Sequence, residues 1–219
     1  FIYLNKMIRF ISGKLNTRIN NNVIQSFKKL SKDNYLKSVH CYRFRAFSEL
    51  NLIKNEIFIK KNNNFFQKRE INHFAGNVSR KFKPIQKNII NTFVKITKEL
   101  IYFLPDKTQQ KAEVGLHQIR ITCDNDYVGY PVPEGWHKDG CNYVAIITLN
   151  FDNIVGGISR IRKNLINQND VYNCFLEKNN FLLLNEKSYF HYTDPINVKD
   201  KKKSGYRDIL VITFKDLNV

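Results

Sequence analysis

The feature that most constrains this chain is a change of pattern near Pro105. Before it, apolar residues recur at helical spacing from Ile85 to Leu100, and Pro84 suits the first turn of that helix because its missing N–H needs no partner there. After it, strand-like runs follow one another, and we predict no further helix. Helices followed by a series of strands predict an α+β, mainly β fold, with helices packed outside a β-sandwich or jelly roll.

Six strands are predicted in the second half of the chain, where alternating or continuous apolar runs end at turn signals such as Gly156-Gly157. They cover residues 114–122, 143–151, 157–162, 181–184, 189–193 and 206–214. In the first half we predict a helix at 22–30, short strands at 42–47 and 56–59, and the long helix from Pro84 to Leu104.

Composition supports one folded unit. The 219 residues are 42% hydrophobic and 13% aromatic, which argues for a buried core and against a disordered chain. We divide the chain into a basic N-terminal extension (1–22), a mostly helical support region (23–110) and a jelly-roll core (111–219).

The charge of the chain is strongly positive, with a formal value of +17 from 36 Lys+Arg and 19 Asp+Glu. A nucleic-acid or anionic-membrane surface would explain it. The alternative is a drift in base composition, because Lys, Asn and Ile are all abundant and the basic residues are scattered. We favour this second interpretation, so that nucleic-acid binding is possible but not favoured, and the field would weakly attract small anions.

The four cysteines are far apart and form no Cys-x-x-Cys pair, which predicts reduced thiols and a cytoplasmic location. No apolar run reaches the ~20 residues that cross a bilayer as a helix. Residues 1–31 contain no acid and several Lys and Arg. We favour a basic N-terminal helix of the domain, while organelle targeting and an amphipathic surface helix stay open. The oligomeric state is not predicted.

Three residues point to a metal site. His137 and Asp139 form a His-x-Asp pair just before a strong strand, and residues two apart in an extended chain point to one side. His191 lies in a later predicted strand. Two imidazoles and one carboxylate form the facial set that leaves three positions open on non-haem Fe(II). A His-x-Asp pair alone is often a coincidence, and the set could also hold zinc, although no His-Glu-x-x-His motif supports zinc hydrolysis.

Arg207 comes sixteen positions after His191, at the start of the last predicted strand. Its guanidinium could pair bidentately with a carboxylate of a 2-oxo acid, with help from the hydroxyls of Tyr206 or Thr213. Without the upstream ligands, a plain salt bridge with Asp208 would be the preferred interpretation.

These motifs, in this order, resemble the Fe(II)/2-oxoglutarate-dependent dioxygenases, and in particular the bacterial group that hydroxylates free L-amino acids such as isoleucine. The resemblance rests on GLHQIRI, PVPEGWHKDG, the Gly156-Gly157 pair and SGYRDILVITF. A weaker likeness covers YRFRAF and the stretch NHFAGNVSRKFKPI around His73. Together, the resembling stretches span most of the chain from about residue 23.

The resemblance implies a double-stranded β-helix in a single dioxygenase domain covering residues 1–219. It implies Fe(II) at His137, Asp139 and His191, 2-oxoglutarate at Arg207, and O₂ as the oxidant. The expected reaction hydroxylates a small substrate, a free aliphatic L-amino acid, and releases succinate and CO₂. The alternatives are a dioxygenase acting on nucleic acid or protein, and a non-catalytic jelly-roll binding protein.

Three further residues are candidates for the substrate pocket. His117 and Arg120 lie on the strand leading to the metal motif and should point to opposite faces, and Arg120 could bind a substrate carboxylate. His117 is about as often a structural histidine as a contact residue. Trp136, beside the first ligand, either lines the pocket or covers the core.

Overall fold

The computed structural model describes residues 9–36, 38–60, 64–67, 69 and 76–217, so His73 lies outside the described residues. The helices are α1 (Asn21–Ser26), α2 (Lys87–Ile101) and α3 (Asp106–Gln110), with a 3-10 turn at Phe27–Lys29. The strands are β1 (Phe10–Lys14), β2 (Ser31–Lys32), β3 (Arg43–Ile53), β4 (Glu56–Ile59), β5 (Asn64–Phe65), β6 (Arg80–Lys81), β7 (Lys111–Cys123), β8 (Tyr143–Asp152), β9 (Ile154–Gly156), β10 (Ile158–Arg162), β11 (Tyr172–Phe175), β12 (Asn180–Asn185), β13 (Phe190–Thr193), β14 (Ile196–Val198) and β15 (Gly205–Asp216).

A large antiparallel sheet, which we call the major sheet, dominates the fold. Its strand order is β1-β12-β8-β15-β7-β3-β2, and β4 pairs with β3 at the same edge. The central strand β15 pairs Arg207 with Ile121 of β7 and with Phe151 of β8. A three-stranded sheet, β11-β10-β13, carries His191 on β13. The prediction of a mainly β fold is confirmed.

One face of the major sheet, which we call the helix face, is covered by helix α2. Alternation along β7 places Val114 and Leu116 in the same apolar cluster as Phe93 and Ile96 of α2. Burying such a side chain stabilises the fold by about 1.5–3 kcal/mol. The predicted apolar stripe of this helix is buried at all five positions, which are Ile85, Ile89, Phe93, Ile96 and Leu100. The prediction that this helix lies on a sheet is therefore confirmed.

The opposite face of the major sheet, which we call the cavity face, packs against the three-stranded sheet. Val144 and Ile146 of β8 form a second apolar cluster with Ile161 of β10 and with the buried Leu176. Because successive side chains of a strand point to opposite faces, β8, β12 and β15 each contribute to both clusters.

Several local predictions need correction. Residues 23–110 contain strands β2 to β6 as well as helices, so this region is not mostly helical. The short helix α3 follows Pro105, and α2 begins at Lys87, three residues after Pro84. The basic N-terminal segment is not helical at Phe10–Lys14, because β1 pairs there with β12 at an edge of the major sheet.

Among the described residues, no helix is both long enough and apolar enough to cross a membrane.

Candidate active site

The structure brings the three predicted metal ligands together. His137 and Asp139 lie between β7 and β8, and His191 lies on β13. The backbones of the two histidines form an antiparallel bridge, in which His137 N–H donates to His191 O at 3.2 Å and His191 N–H donates to His137 O at 3.1 Å. Ligand atoms of the three side chains lie within 4.8 Å of one another. Two imidazoles and one carboxylate thus face a single point.

The orientation of His137 is set by the backbone of Gly135. The His137 Nδ1 lies 3.1 Å from the Gly135 carbonyl oxygen, which selects the tautomer with a proton on Nδ1. The other ring nitrogen, Nε2, lies 3.7 Å from Asp139 Oδ1. Gly135 has a φ of +78°, a conformation that glycine adopts without strain.

Glu186 is a buried acid at this site that the sequence analysis missed. Its carboxylate accepts backbone hydrogen bonds from Asp139 at 2.8 Å and from Cys141 at 3.2 Å, and Oε1 lies 2.9 Å from His191 Nε2. Glu186 therefore links the segment that carries His137 and Asp139 to His191. The sequence signal is weak: an acid directly after an apolar strand, five positions before His191.

The electrostatics of the cluster suit a cation. Burial by itself would raise the pKa of the Asp139 carboxyl, but the hydrogen bond from His191 and the charge of His137 bring it below its usual range. Burial would lower the pKa of His191, yet hydrogen bonds with Asp139 and Glu186 raise it to about 10. The lowered pKa of Asp139 leaves an ionised carboxylate beside the two histidines, and the raised pKa of His191 reflects the negative charges of Asp139 and Glu186.

The residues present fit a divalent transition metal. The donor set is two nitrogens and one carboxylate, which Fe(II) accepts while keeping coordination positions open. The Nε2 atoms of both histidines approach the same carboxylate, that of His137 at 3.7 Å from Asp139 Oδ1 and that of His191 at 3.5 Å from Asp139 Oδ2.

Arg207 is a buried cation on the cavity face. It is 1% exposed, and its guanidinium donates to Gly157 O at 2.6 Å and to Thr148 Oγ1 at 3.0 Å, while Nε has no partner among the described residues. Burial lowers its pKa to about 10, so it stays charged at neutral pH. The alternative interpretation, a plain salt bridge with Asp208, is wrong, because the two neighbours point to opposite faces and Asp208 pairs with Arg120.

Among the described residues, the hydroxyl that contacts the Arg207 guanidinium belongs to Thr148, and neither Tyr206 nor Thr213 makes such a contact. Tyr206 instead accepts a hydrogen bond from Asn150 at 3.0 Å and lies under the Arg120 guanidinium. Thr213 lies six positions along β15, beside Gly115.

A cavity of about 90 Å³ adjoins the three candidate metal ligands. Since a water centre occupies roughly 10–15 Å³ of such space, the cavity suits a small molecule. Its wall contains the three candidate ligands and His117, together with cationic, apolar and other polar residues. Those that matter below are Arg43, Arg45, Gln67, Arg80, Ile119 and Ile209.

The predicted opposite orientation of His117 and Arg120 is confirmed. His117 lines the cavity and is 2% exposed. Burial and the nearby Arg45 guanidinium hold the pKa of His117 well below its usual range, so the imidazole is neutral. Arg120 lies on the helix face, where its guanidinium pairs bidentately with Asp208 at 2.6 and 2.7 Å. The prediction that Arg120 binds a substrate carboxylate is therefore wrong in this geometry.

Trp136 is not among the residues that line the cavity. Its ring packs on Tyr192 at 5.4 Å between centroids, and the Arg162 guanidinium lies 4.2 Å above it. In this geometry Trp136 contacts half-buried neighbours beside the first ligand and does not form part of the cavity wall.

Comparisons with known proteins agree with this geometry. A sequence profile of the 2OG-Fe dioxygenase family matches residues 24–213. The curated L-isoleucine-4-hydroxylase of Bacillus thuringiensis is 24% identical over 166 residues, which cover 73% of this chain and 68% of that protein.

Two solved structures share the fold. A bsmA homologue from Methylobium petroleophilum PM1 has a TM-score of 0.77 at 23% identity, over 89% of this chain and 80% of that one. IDO from Bacillus thuringiensis has a TM-score of 0.73 at 19% identity, over 95% of this chain and 91% of that one. Since the family profile spans nearly the whole chain, this protein belongs to the 2OG-Fe dioxygenases, the oxidoreductases that use Fe(II), 2-oxoglutarate and O₂.

Proposed function

We propose that this dioxygenase hydroxylates a free aliphatic L-amino acid and releases succinate and CO₂. The observation that carries the proposal is the convergence of His137, Asp139 and His191 beside a small buried cavity, in a chain of this family. The substrate class is supported by the similarity to a protein named L-isoleucine-4-hydroxylase. The size of the cavity favours a small substrate over a protein or a nucleic acid. The net charge of +17 is the one feature that supports the nucleic-acid alternative.

In this proposal, His137, Asp139 and His191 hold Fe(II), and Arg207 binds the distal carboxylate of 2-oxoglutarate. The bound iron supplies O₂ activation coupled to oxidative decarboxylation of 2-oxoglutarate. The protein holds the reactants in position and limits the access of water, because His191 and Arg207 are buried and the other two ligands are half-buried.

We also propose that the major sheet and the β11-β10-β13 sheet are the two halves of a double-stranded β-helix, in a single domain covering residues 1–219. The apolar cluster that includes Ile146 and Ile161 packs one sheet on the other and supports this arrangement. The backbone bridge between His137 and His191 fastens the ligand segment to β13.

The test is succinate formation by anaerobically purified, Fe(II)-loaded protein given 2-oxoglutarate, air and single L-amino acids. His137→Ala removes a proposed ligand. The matched control is His40→Ala, because His40 is exposed and stacks on Tyr127 outside the site. We expect amino-acid-dependent succinate in the wild type and in the control, and a loss of at least about 10³-fold in His137→Ala.

Other outcomes separate the alternatives. Turnover that needs His137 but no amino acid would contradict the substrate class and direct the search to peptides and nucleic acids. Folded protein that binds neither Fe(II) nor 2-oxoglutarate would contradict catalysis by this chain and leave a jelly-roll binding protein.

A further inference from the structure

The cavity wall contains three arginines that differ in their partners. Arg43 is neutralised, because its Nε donates to the buried Asp33 at 2.9 Å. Arg45 and Arg80 are 8% and 2% exposed, and neither has an acidic partner within salt-bridge distance among the described residues. A buried guanidinium without a paired anion is unfavourable. The cavity therefore contains two buried cations that lack a paired anion within the part of the chain that the structure describes.

Arg45 is held in place by neutral groups. One of its terminal nitrogens contacts His117 Nδ1, and its guanidinium lies 5.1 Å from the ring centre of Phe65 and 4.7 Å from that of Phe82. Its Nε has no hydrogen-bond partner in the described part of the chain. Burial lowers the pKa of Arg45 to about 9, which still leaves it protonated at neutral pH.

Arg80 is linked through one side chain to the metal cluster. Its terminal nitrogen donates to Gln67 Oε1, and Gln67 Nε2 donates in turn to the backbone oxygen of Asp139 at 3.1 Å. The guanidinium lies 4.5 Å from the Phe65 ring centre, so Arg45 and Arg80 share one aromatic platform. The Arg80 Nε also has no partner among the residues that the structure describes.

Arg45 and Arg207 lie on different strands of the major sheet, and one strand lies between them. In the strand register, Arg45 of β3 lies beside Ile119 of β7, and Ile119 lies beside Ile209 of β15. Two strand spacings of about 4.8 Å therefore separate Arg45 from β15, which carries Arg207. One small dicarboxylate at Arg207 and the metal would leave Arg45 and Arg80 without a counter-ion.

We propose that Arg45 and Arg80 form a second anion site that binds the carboxylate of the substrate and so restricts this dioxygenase to small organic acids. The inference rests on the proposed function and deepens it, because a free amino acid carries such a carboxylate. The two Nε–H groups are the donors left over for it, and charge-assisted hydrogen bonds of this type are strong and directional. Neutral His117 positions Arg45 by accepting its hydrogen bond. Rejection of uncharged analogues follows, since they would leave both cations unmatched.

The test measures binding without turnover, by calorimetry on protein loaded with Mn(II) and 2-oxoglutarate. Two acid–amide pairs serve as probes, L-isoleucine with L-isoleucinamide and hexanoate with hexanamide. The variants are Arg45→Met and Arg80→Met, which keep an unbranched apolar stem. Arg18→Met is the control, because Arg18 is exposed and its loss removes the same charge from outside the cavity.

We expect the wild type and Arg18→Met to bind the acid of a pair about 100-fold more tightly than the amide, from two charge-assisted contacts at about tenfold each. Arg45→Met and Arg80→Met should each lose about tenfold of that preference and keep their affinity for 2-oxoglutarate. Arg45→Lys keeps the charge without the planar fork and should recover part of the preference. It also serves as the binding test if Arg45→Met does not fold.

Three outcomes would overturn the inference. These are equal affinity for acid and amide in the wild type, an acid preference that survives in both variants, and a loss of 2-oxoglutarate affinity in place of substrate affinity. The last would assign this pair to the co-substrate. If hexanoate is preferred over hexanamide and no amino acid binds, the anion site stands and only the amino-acid substrate class fails.

Discussion

Two neighbouring residues of β15, Arg207 and Asp208, are both buried charges, but they differ in the partners that the two faces of the major sheet provide. Asp208 points to the helix face and meets Arg120 in a bidentate pair, with oxygens at 2.6 and 2.7 Å. Arg207 points to the cavity face, where only a carbonyl and a hydroxyl oxygen accept its hydrogen bonds. The helix face thus contains the anion for its cation, whereas Arg207 on the cavity face has no acidic partner among the residues that the structure describes.

The Arg120–Asp208 pair on the helix face therefore stabilises the fold, whereas Arg207 on the cavity face is available to bind an anionic ligand. On the helix face, removing one partner of an ion pair leaves the other charge buried, so the cost is in folding. On the cavity face, a cation without an anion already destabilises the free protein, so its removal costs binding. Residues next to each other in the chain should therefore respond to substitution in opposite ways.

The largest expected effect is on the helix face. Arg120→Met should lower the free energy of unfolding by about 3–5 kcal/mol at neutral pH, because Asp208 is then left without its partner. Urea denaturation measures it. The double variant Arg120→Met/Asp208→Leu should recover most of the loss, since both charges are gone. A double variant as unstable as the single one would contradict the ion-pair explanation.

Asp208 also predicts a pH dependence of stability. Burial raises its pKa from 3.8 to about 6, against the opposing charge of Arg120. A folded-state pKa above the unfolded value means that the stabilisation is complete below pH 4 and is lost as the pH rises through 6. Relative to Asp208→Asn, the wild type should therefore lose about 3 kcal/mol of unfolding free energy between pH 4 and pH 8. A difference that grows with pH would mean that Arg120 lowers this pKa.

The next effect is on the cavity face. Arg207→Met should weaken 2-oxoglutarate binding by about 100-fold, equivalent to about 2.7 kcal/mol, because a charge-assisted bidentate contact is lost. The thermal stability of the ligand-free protein should stay equal or rise. Calorimetry and thermal unfolding measure the two quantities. A variant that is strongly destabilised and binds 2-oxoglutarate normally would make Arg207 a structural residue.

The smallest effect tests the face assignment itself. Gln118 lies beside His117 on β7 but points to the helix face, where its Nε2 donates to Ser26 Oγ of α1 at 2.7 Å. Gln118→Leu should cost about 1 kcal/mol of stability, the net value of one hydrogen bond. Substrate and 2-oxoglutarate affinities should be unchanged. A shift in either affinity would show that the two faces are not independent.

The sequence by itself determined the parts of this protein that depend on local periodicity. The apolar stripe from Ile85 to Leu100 predicted the helix and its buried side. The long strands β7, β8 and β15 were predicted to within three residues at each end. His137 and Asp139 lie together as their two-residue spacing predicted, and His191 joins them as the family resemblance implied.

Tertiary structure alone decided the partners of those elements. The edge strand β1 forms only because β12 offers it an open edge, and Arg120 was misassigned because its true partner, Asp208, lies 88 positions away. Glu186 reaches the candidate metal ligands through tertiary hydrogen bonds that no local pattern reports. Periodicity states which side of a strand a residue occupies, but which groups face it depends on how distant strands are brought together.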